Sequence, residues 1–285
     1  MKGGFPLLKL TDFDSGPFLL HHTRTESPVE EEFPLHAHDS YELYCFLEGQ
    51  GYYTVEGHDY PLTHGCLLLM RDGETHKLHI SAHKPYERIA LHFPPDLLSS
   101  TVLEGLLAPF HDRPLGQRNM VPFCPAQRRA IELLLRMSDA RDDEHLNVAT
   151  LHYAYLPAVL VEINQALLEG DSDHPTDRKQ DTLISEIIEF INRDPASVAD
   201  VDMLEKVFGY SRSYLNRIFR RSTGVSIWDY VILKRLTLAR SAIRNGNAAA
   251  AAAKEAGFSD YSSFYRQYKK RFGLTPEEEK RTAAH

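Results

Sequence analysis

Two stretches of the C-terminal third repeat one another, and this repeat limits what the chain can fold into. Residues 209–226, GYSRSYLNRIFRRSTGVS, align with residues 257–275, GFSDYSSFYRQYKKRFGLT, with one residue inserted in the second copy. Gly209, Tyr210 and Ser211 match Gly257, Phe258 and Ser259; Leu215, Arg217, Phe219, Arg221 and Gly224 match Phe264, Arg266, Tyr268, Lys270 and Gly273. Such self-similarity means that one supersecondary unit occurs twice. Each copy follows a short helical stretch, turns at Gly-aromatic-Ser, and starts a second helix with an apolar stripe and a basic face. The first copy turns Leu215, Ile218 and Phe219 inward and leaves Arg212, Ser213, Asn216, Arg217 and Arg220 outward. The second turns Phe264, Tyr268 and Phe272 inward and leaves Ser262, Tyr265, Arg266, Lys269 and Lys270 outward.

A short helix, a tight turn and a basic, hydrogen-bonding second helix are the physical content of helix-turn-helix DNA recognition. Arg reaches guanine edges with two bonds, Asn reaches adenine edges, and Lys and Ser hold phosphates. The alternative for a single unit is a helical hairpin with a solvated basic face, and two matched copies weaken it. Charge distribution agrees. The formal net charge is −8, yet residues 201–285 hold 16 Lys+Arg against 8 Asp+Glu. A basic third on an acidic body points to a polyanion partner for that third. Residues 227–244, between the copies, read as a helix about 27 Å long. That length sets the two second helices roughly one DNA turn, ~34 Å, apart.

These stretches, with DYVILKRLTLARSAI between them, resemble the double helix-turn-helix domain of the AraC/XylS family of bacterial transcription regulators, over residues 181–281. The resemblance implies that Arg212, Asn216, Arg217, Ser262, Arg266 and Lys269 face DNA and that Tyr230, Arg235, Leu236 and Ala239 belong to the connecting helix. Three positions depart from the family pattern. Glu205 stands where a small alanine is usual, the alanine run 248–253 replaces an Ile-rich helix and should thin the core of the second unit, and Glu279 stands where an aromatic is usual.

Residues 16–95 have a different texture. Short runs rich in Tyr, Phe, Val, Thr and Leu are broken every eight to twelve residues by Gly, Pro or Asp, as in an antiparallel sandwich or barrel. Tyr44, Phe46, Tyr52 and Tyr53 alternate through it, some toward a pocket and some into ordinary core. The stretch PLHAHDSYELYCFLEG, residues 34–49, has the spacing H-x-H-x3-E-x6-G from His36 to Gly49 and resembles the first cupin motif. A partial second motif follows with Gly65, Gly73 and His76, and with Arg71 and Ile80 in place of the usual proline and asparagine. His36, His38, Glu42 and His76 occupy the positions from which metal-binding cupins draw ligands, a donor set suited to Zn, Ni, Fe or Mn. The other reading makes them polar residues of an effector pocket without metal. The scattered His64, His79, His83 and His92 read as surface or core residues.

From Pro125 to Gly170 the pattern is helical, with Ala130, Ile131, Leu134 and Leu135 on one stripe and Leu156, Leu160, Ile163 and Leu167 on another. Pro157 should bend or start the second helix. The pair either caps the barrel or forms a homodimer seam. Residues 170–180 read as a linker, and Asp181 as the cap of the next helix. Cys45, Cys66 and Cys124 are too few for a disulfide framework, and no segment approaches the length of a membrane helix, so the cytoplasm is expected.

The sequence therefore predicts an α+β chain: a cupin-like β-barrel over residues 1–124, a helical hairpin over 125–169, a linker over 170–180, and an all-α double helix-turn-helix domain over 181–285. The expected function is a non-enzymatic regulator that binds a double-stranded DNA operator and a small-molecule effector, as a homodimer, with RNA polymerase as a further partner if it activates. By family analogy, residues 1–16 are an arm that folds over the pocket. The competing readings are a metal-dependent cupin enzyme fused to a helical module, and a helical protein-interaction module with no DNA role.

Overall fold

The computed structural model describes residues 8–15, 18–98, 103–140, 147–170 and 182–283. The chain divides into two compact units, residues 1–34 with 40–179 and residues 35–39 with 180–285.

The first unit is built on antiparallel strands β1 (Leu8–Ser15), β2 (Phe18–Thr25), β3 (Tyr41–Glu48), β4 (Gly51–Val55), β5 (His58–Leu62), β6 (Cys66–Met70), β7 (His76–Ile80) and β8 (Tyr86–Phe93). They form a five-stranded sheet in the order β1-β2-β8-β3-β6 and a three-stranded sheet in the order β5-β4-β7. Because side chains alternate along a strand, the larger sheet feeds two separate cores. Tyr44, Phe46, Cys66, Leu68, Met70 and Tyr86 meet Tyr53, Val55, Leu78 and Ile80 of the smaller sheet. Leu43, Cys45, Leu67, Leu69, Ile89 and Leu91 face the other way, onto helices.

After a short helix α1 (Ala108–His111), those helices are α2 (Pro125–Asp139) and α3 (Val148–Glu169). Cys124 caps α2, its sulfur accepting from the Gln127 amide, and Asn147 caps α3 by accepting from Thr150. Ala130, Leu134, Leu156, Leu160 and Ile163 are buried with the outward strand residues, so both stripes are spent on covering the sheet. Pro157 lies inside α3, nine residues after its start, so it does not begin the helix. The flanking Leu156 and Leu160 are fully buried, and packing carries the helix through the proline. Residues 8–15 are edge strand β1, paired with β2, and not an arm; residues 1–7 lie outside the described residues. The linker and the predicted Asp181 cap also lie outside them, apart from Gly170 at the end of α3.

The second unit is helical: α4 (Thr182–Arg193), α5 (Val201–Phe208), α6 (Arg212–Thr223), α7 (Ile227–Arg244), α8 (Ala249–Glu255), α9 (Tyr261–Phe272) and α10 (Pro276–Ala283). The sequence placed residues 35–39 with the barrel, but they cluster with the helices. Leu35 is buried beside Ile184, Ile227 and Leu233, and the Asp39 carboxylate pairs with Arg240 at 3.4 Å and with Arg244. Arg235 of α7 ties the unit together, donating to the carbonyls of Pro195 (2.9 Å), Ala196 (3.1 Å), Val198 (2.8 Å) and Gly257 (2.7 Å). Gly257 sits at φ +87, and a Cβ there would meet the Ala196 backbone at 2.7 Å, so this close approach requires glycine. No helix among the described residues is long and apolar enough to cross a membrane.

Candidate nucleic-acid interface and ligand pocket

Helices α6 and α9 start and stop by the same local chemistry. Ser211 caps α6, its hydroxyl accepting from the Tyr214 amide, and Asp260 caps α9, its carboxylate accepting from Ser262 and Ser263. Both end at a left-handed glycine, Gly224 and Gly273, the conformation that costs glycine least. Leu215 and Phe219 of α6, and Phe264 and Tyr268 of α9, are buried.

The opposite faces are open. Arg212, Ser213, Arg217 and Arg220 on α6 are exposed, as are Ser262, Arg266, Lys269 and Lys270 on α9, with Tyr265 half-buried. Each helix thus carries several exposed cations and a serine hydroxyl away from its buried stripe. Arg217 lies over the Tyr214 ring at 5.4 Å, which limits its conformations without neutralising it. Asn216 differs from its neighbours. It is half-buried, donates to the Arg212 carbonyl at 3.3 Å and accepts from the Ile227 amide at 3.2 Å, so its amide braces the start of α7.

The three departures from the family pattern each have a local role. Glu205 accepts from the Arg212 amide at 3.2 Å, satisfying one of the unpaired donors in the first turn of α6. The alanine run presents Ala252 and Ala253 to Phe264 and Tyr268, so the predicted thinning is met by aromatic rings. Glu279 is 3% exposed and accepts from Nε and one terminal nitrogen of Arg240 at 3.0 and 3.1 Å and from the Tyr268 hydroxyl at 3.2 Å. A bidentate ion pair stands where an aromatic is usual.

In the first unit, Glu42 on β3 and His76 on β7 face each other in the interior, with Oε2 3.2 Å from Nε2. His76 donates its Nδ1 proton to the Glu74 carbonyl at 2.8 Å, which turns Nε2 inward, as a backbone carbonyl does for a ligating histidine. His36 and His38 lie on the segment of the second unit with ring centroids 4.8 Å apart. Glu42 and His76 thus bring a carboxylate and an imidazole together within the first unit. Imidazole and carboxylate donors fit a borderline divalent ion.

His92 stands opposite Glu42 in the pairing of β8 with β3. It is buried on β8, where burial pushes its pKa down to about 4 and keeps it neutral. Its signal was its register opposite Glu42. Tyr52 is exposed, while Tyr44, Phe46 and Tyr53 turn inward. Burial pushes the Tyr44 and Tyr53 hydroxyls well above the usual range, so both remain hydrogen-bond donors. Sequence reasoning missed Arg88, which shares this interior; only its place in the alternation of β8, two residues from Tyr86, signals it.

Comparison with known proteins matches this geometry in both units. Residues 204–282 match a model described as a helix-turn-helix domain, and residues 24–155 one described as an AraC-like ligand binding domain. The chain is 22% identical over 238 residues to the HTH-type transcriptional regulator YbfI of Bacillus subtilis, covering 82% of each chain. It is 22% identical to the HTH-type transcriptional activator RhaS of Escherichia fergusonii, over 86% of this chain and 87% of that one. It is 24% identical to the Msm operon regulatory protein of Streptococcus mutans, over 84% and 83%. Two matched domains in the order that the fold displays them, on relatives matched along most of their length, place the chain in the AraC family of DNA-binding transcription regulators, with an N-terminal ligand-binding domain.

Proposed function

We propose that α6 and α9 read successive major grooves of one double-stranded operator and that the interior of the first unit senses a small-molecule effector. The observation that carries this is the pair of identically bounded helices, each with an exposed basic face on a buried apolar stripe. Arg212, Ser213, Arg217 and Arg220 contact DNA from α6, and Ser262, Tyr265, Arg266, Lys269 and Lys270 from α9, with arginines reaching base edges and the lysines and serines holding phosphates. Asn216 is reassigned from base reading to bracing α7, because both ends of its amide are bonded within the unit.

The regulator acts without catalysis, in the cytoplasm, as a homodimer, and meets RNA polymerase if it activates. Dimerisation falls to the outer side of α3, where Tyr153, Val161 and Leu168 are exposed. A divalent ion drawing its donors from His36, His38, Glu42 and His76 is the second reading, favoured by the carboxylate and imidazole that Glu42 and His76 bring together in the first unit. Metal analysis of the purified protein against His76→Ala decides it. An equal metal content in the two would reject the ion.

The DNA assignment is tested on duplexes selected by the full chain from a random-sequence pool. Arg217→Ala and Arg266→Ala each weaken binding by about 1 to 3 kcal/mol if they reach base edges, and affinity falls steeply with added salt. Unchanged affinity in the double substitution would show that these faces do not read DNA.

A further inference from the structure

We propose that Arg88 is the anchor of the ligand site in the first unit, and that the effector it selects is a small organic carboxylate; this rests on the sensing role proposed above. Arg88 lies on β8 opposite Thr23 of β2 and Phe46 of β3. Directly opposed residues share a face of the sheet, and Phe46 belongs to the core between the two sheets, so Arg88 points into that space. Its guanidinium lies 6.0 Å from the centre of the Tyr44 ring. Tyr44 shares a hydrogen bond with Tyr86 at 2.9 Å and packs on Tyr53 with ring centroids 4.6 Å apart.

What sets Arg88 apart is the lack of a partner. Arg113 pairs with Glu74 through both terminal nitrogens at 2.7 Å, and Arg235 donates to four carbonyls. Arg88 has its Nε sealed from solvent without a hydrogen-bond acceptor and forms no ion pair among the described residues. Burial works against its charge and the nearby Glu42 carboxylate favours it, so Arg88 remains a cation. A guanidinium whose Nε is sealed from solvent and which no carboxylate among the described residues meets in an ion pair costs stability, and that close partner is what a ligand would supply.

The surrounding chemistry selects the anion. A guanidinium fork matches a carboxylate in two parallel bonds. The Thr23 hydroxyl, buried and without a partner, is a further donor in the opposed position. Tyr44, Tyr53 and Tyr86 offer apolar and aromatic walls for the rest of the molecule. The nearby Glu42 carboxylate repels a doubly charged phosphate more than a singly charged carboxylate.

The test uses thermal melts of the full chain with benzoate, 4-hydroxybenzoate and octanoate, each against its neutral amide, and with phenyl phosphate and glucose. At least one carboxylate should raise the melting temperature where its amide does not, and Arg88→Gln should weaken its binding by about 30-fold or more. Without ligand, Arg88→Met should melt above the wild type, because an apolar chain of similar length replaces an unpaired charge. Arg88→Met melting below the wild type would make the residue structural and overturn the proposal. So would a wild type that no carboxylate protects better than its amide. Stabilisation by glucose or phenyl phosphate alone, with altered DNA binding, rejects the carboxylate and leaves sensing intact. No shift in melting or in DNA binding with any probe rejects both.

Discussion

In the first helix-turn-helix half, α6 rests on an aliphatic core drawn from Ile187, Ile191, Leu204 and Ile227, whereas in the second α9 rests on alanines and supplies the bulk itself as Phe264, Tyr268 and Phe272. The first half satisfies the start of its second helix with Glu205, an exposed acceptor. The second closes its core with Glu279, a buried acceptor for Arg240. One outer shape is thus reached by opposite distributions of volume. What both halves preserve is the capped helix with a basic face, and what varies is the material beneath it.

The difference is sharpest under truncation. Phe264→Ala should cost about 4 kcal/mol and Leu215→Ala about 3, because the alanines of α8 have no side-chain length with which to collapse onto a lost ring. Urea unfolding checks this, with circular dichroism for the whole unit and the single Trp228 reporting from α7. Equal losses, or a larger loss at Leu215, would break the asymmetry. Glu279→Gln comes next, at about 3 kcal/mol, since removing one charge of a buried pair strands the other. The loss is moderated by Asp39, which also pairs with Arg240. A loss below 1 kcal/mol would mean that the ion pair is not what closes the second core. Smallest is Glu205→Ala, at about 1 kcal/mol or less, the usual value of an exposed helix cap. A larger loss would show the first half to be as dependent on its acid as the second.

These contrasts follow how the fold could be read. The two reading helices were legible because the repeat presents each critical position twice and at helical spacing, as Leu215 and Phe264 illustrate. Glu279 was visible only as a departure; its compensation by Arg240, 39 residues away, depends on how α7 and α10 pack. The place of residues 35–39 was not legible, because Leu35 and Asp39 find their partners at Ile184 and Leu233 and at Arg240 and Arg244, long-range choices that no local pattern records. Motif spacing singled out His36, His38, Glu42 and His76, of which Glu42 and His76 meet inside the first unit. Arg88 and His92 needed the register of β8 against β3, since an isolated Arg or His carries no periodic signal.

Both halves, despite their different interiors, are proposed to read DNA together. Hydroxyl-radical footprinting of the full chain on its selected duplex tests it most directly. Two protected segments are expected on one face of the duplex, their centres separated by about one helical turn, roughly 10 base pairs. Arg266→Ala should weaken one segment and Arg217→Ala the other. A single protected segment, unaltered by Arg266→Ala, would contradict it.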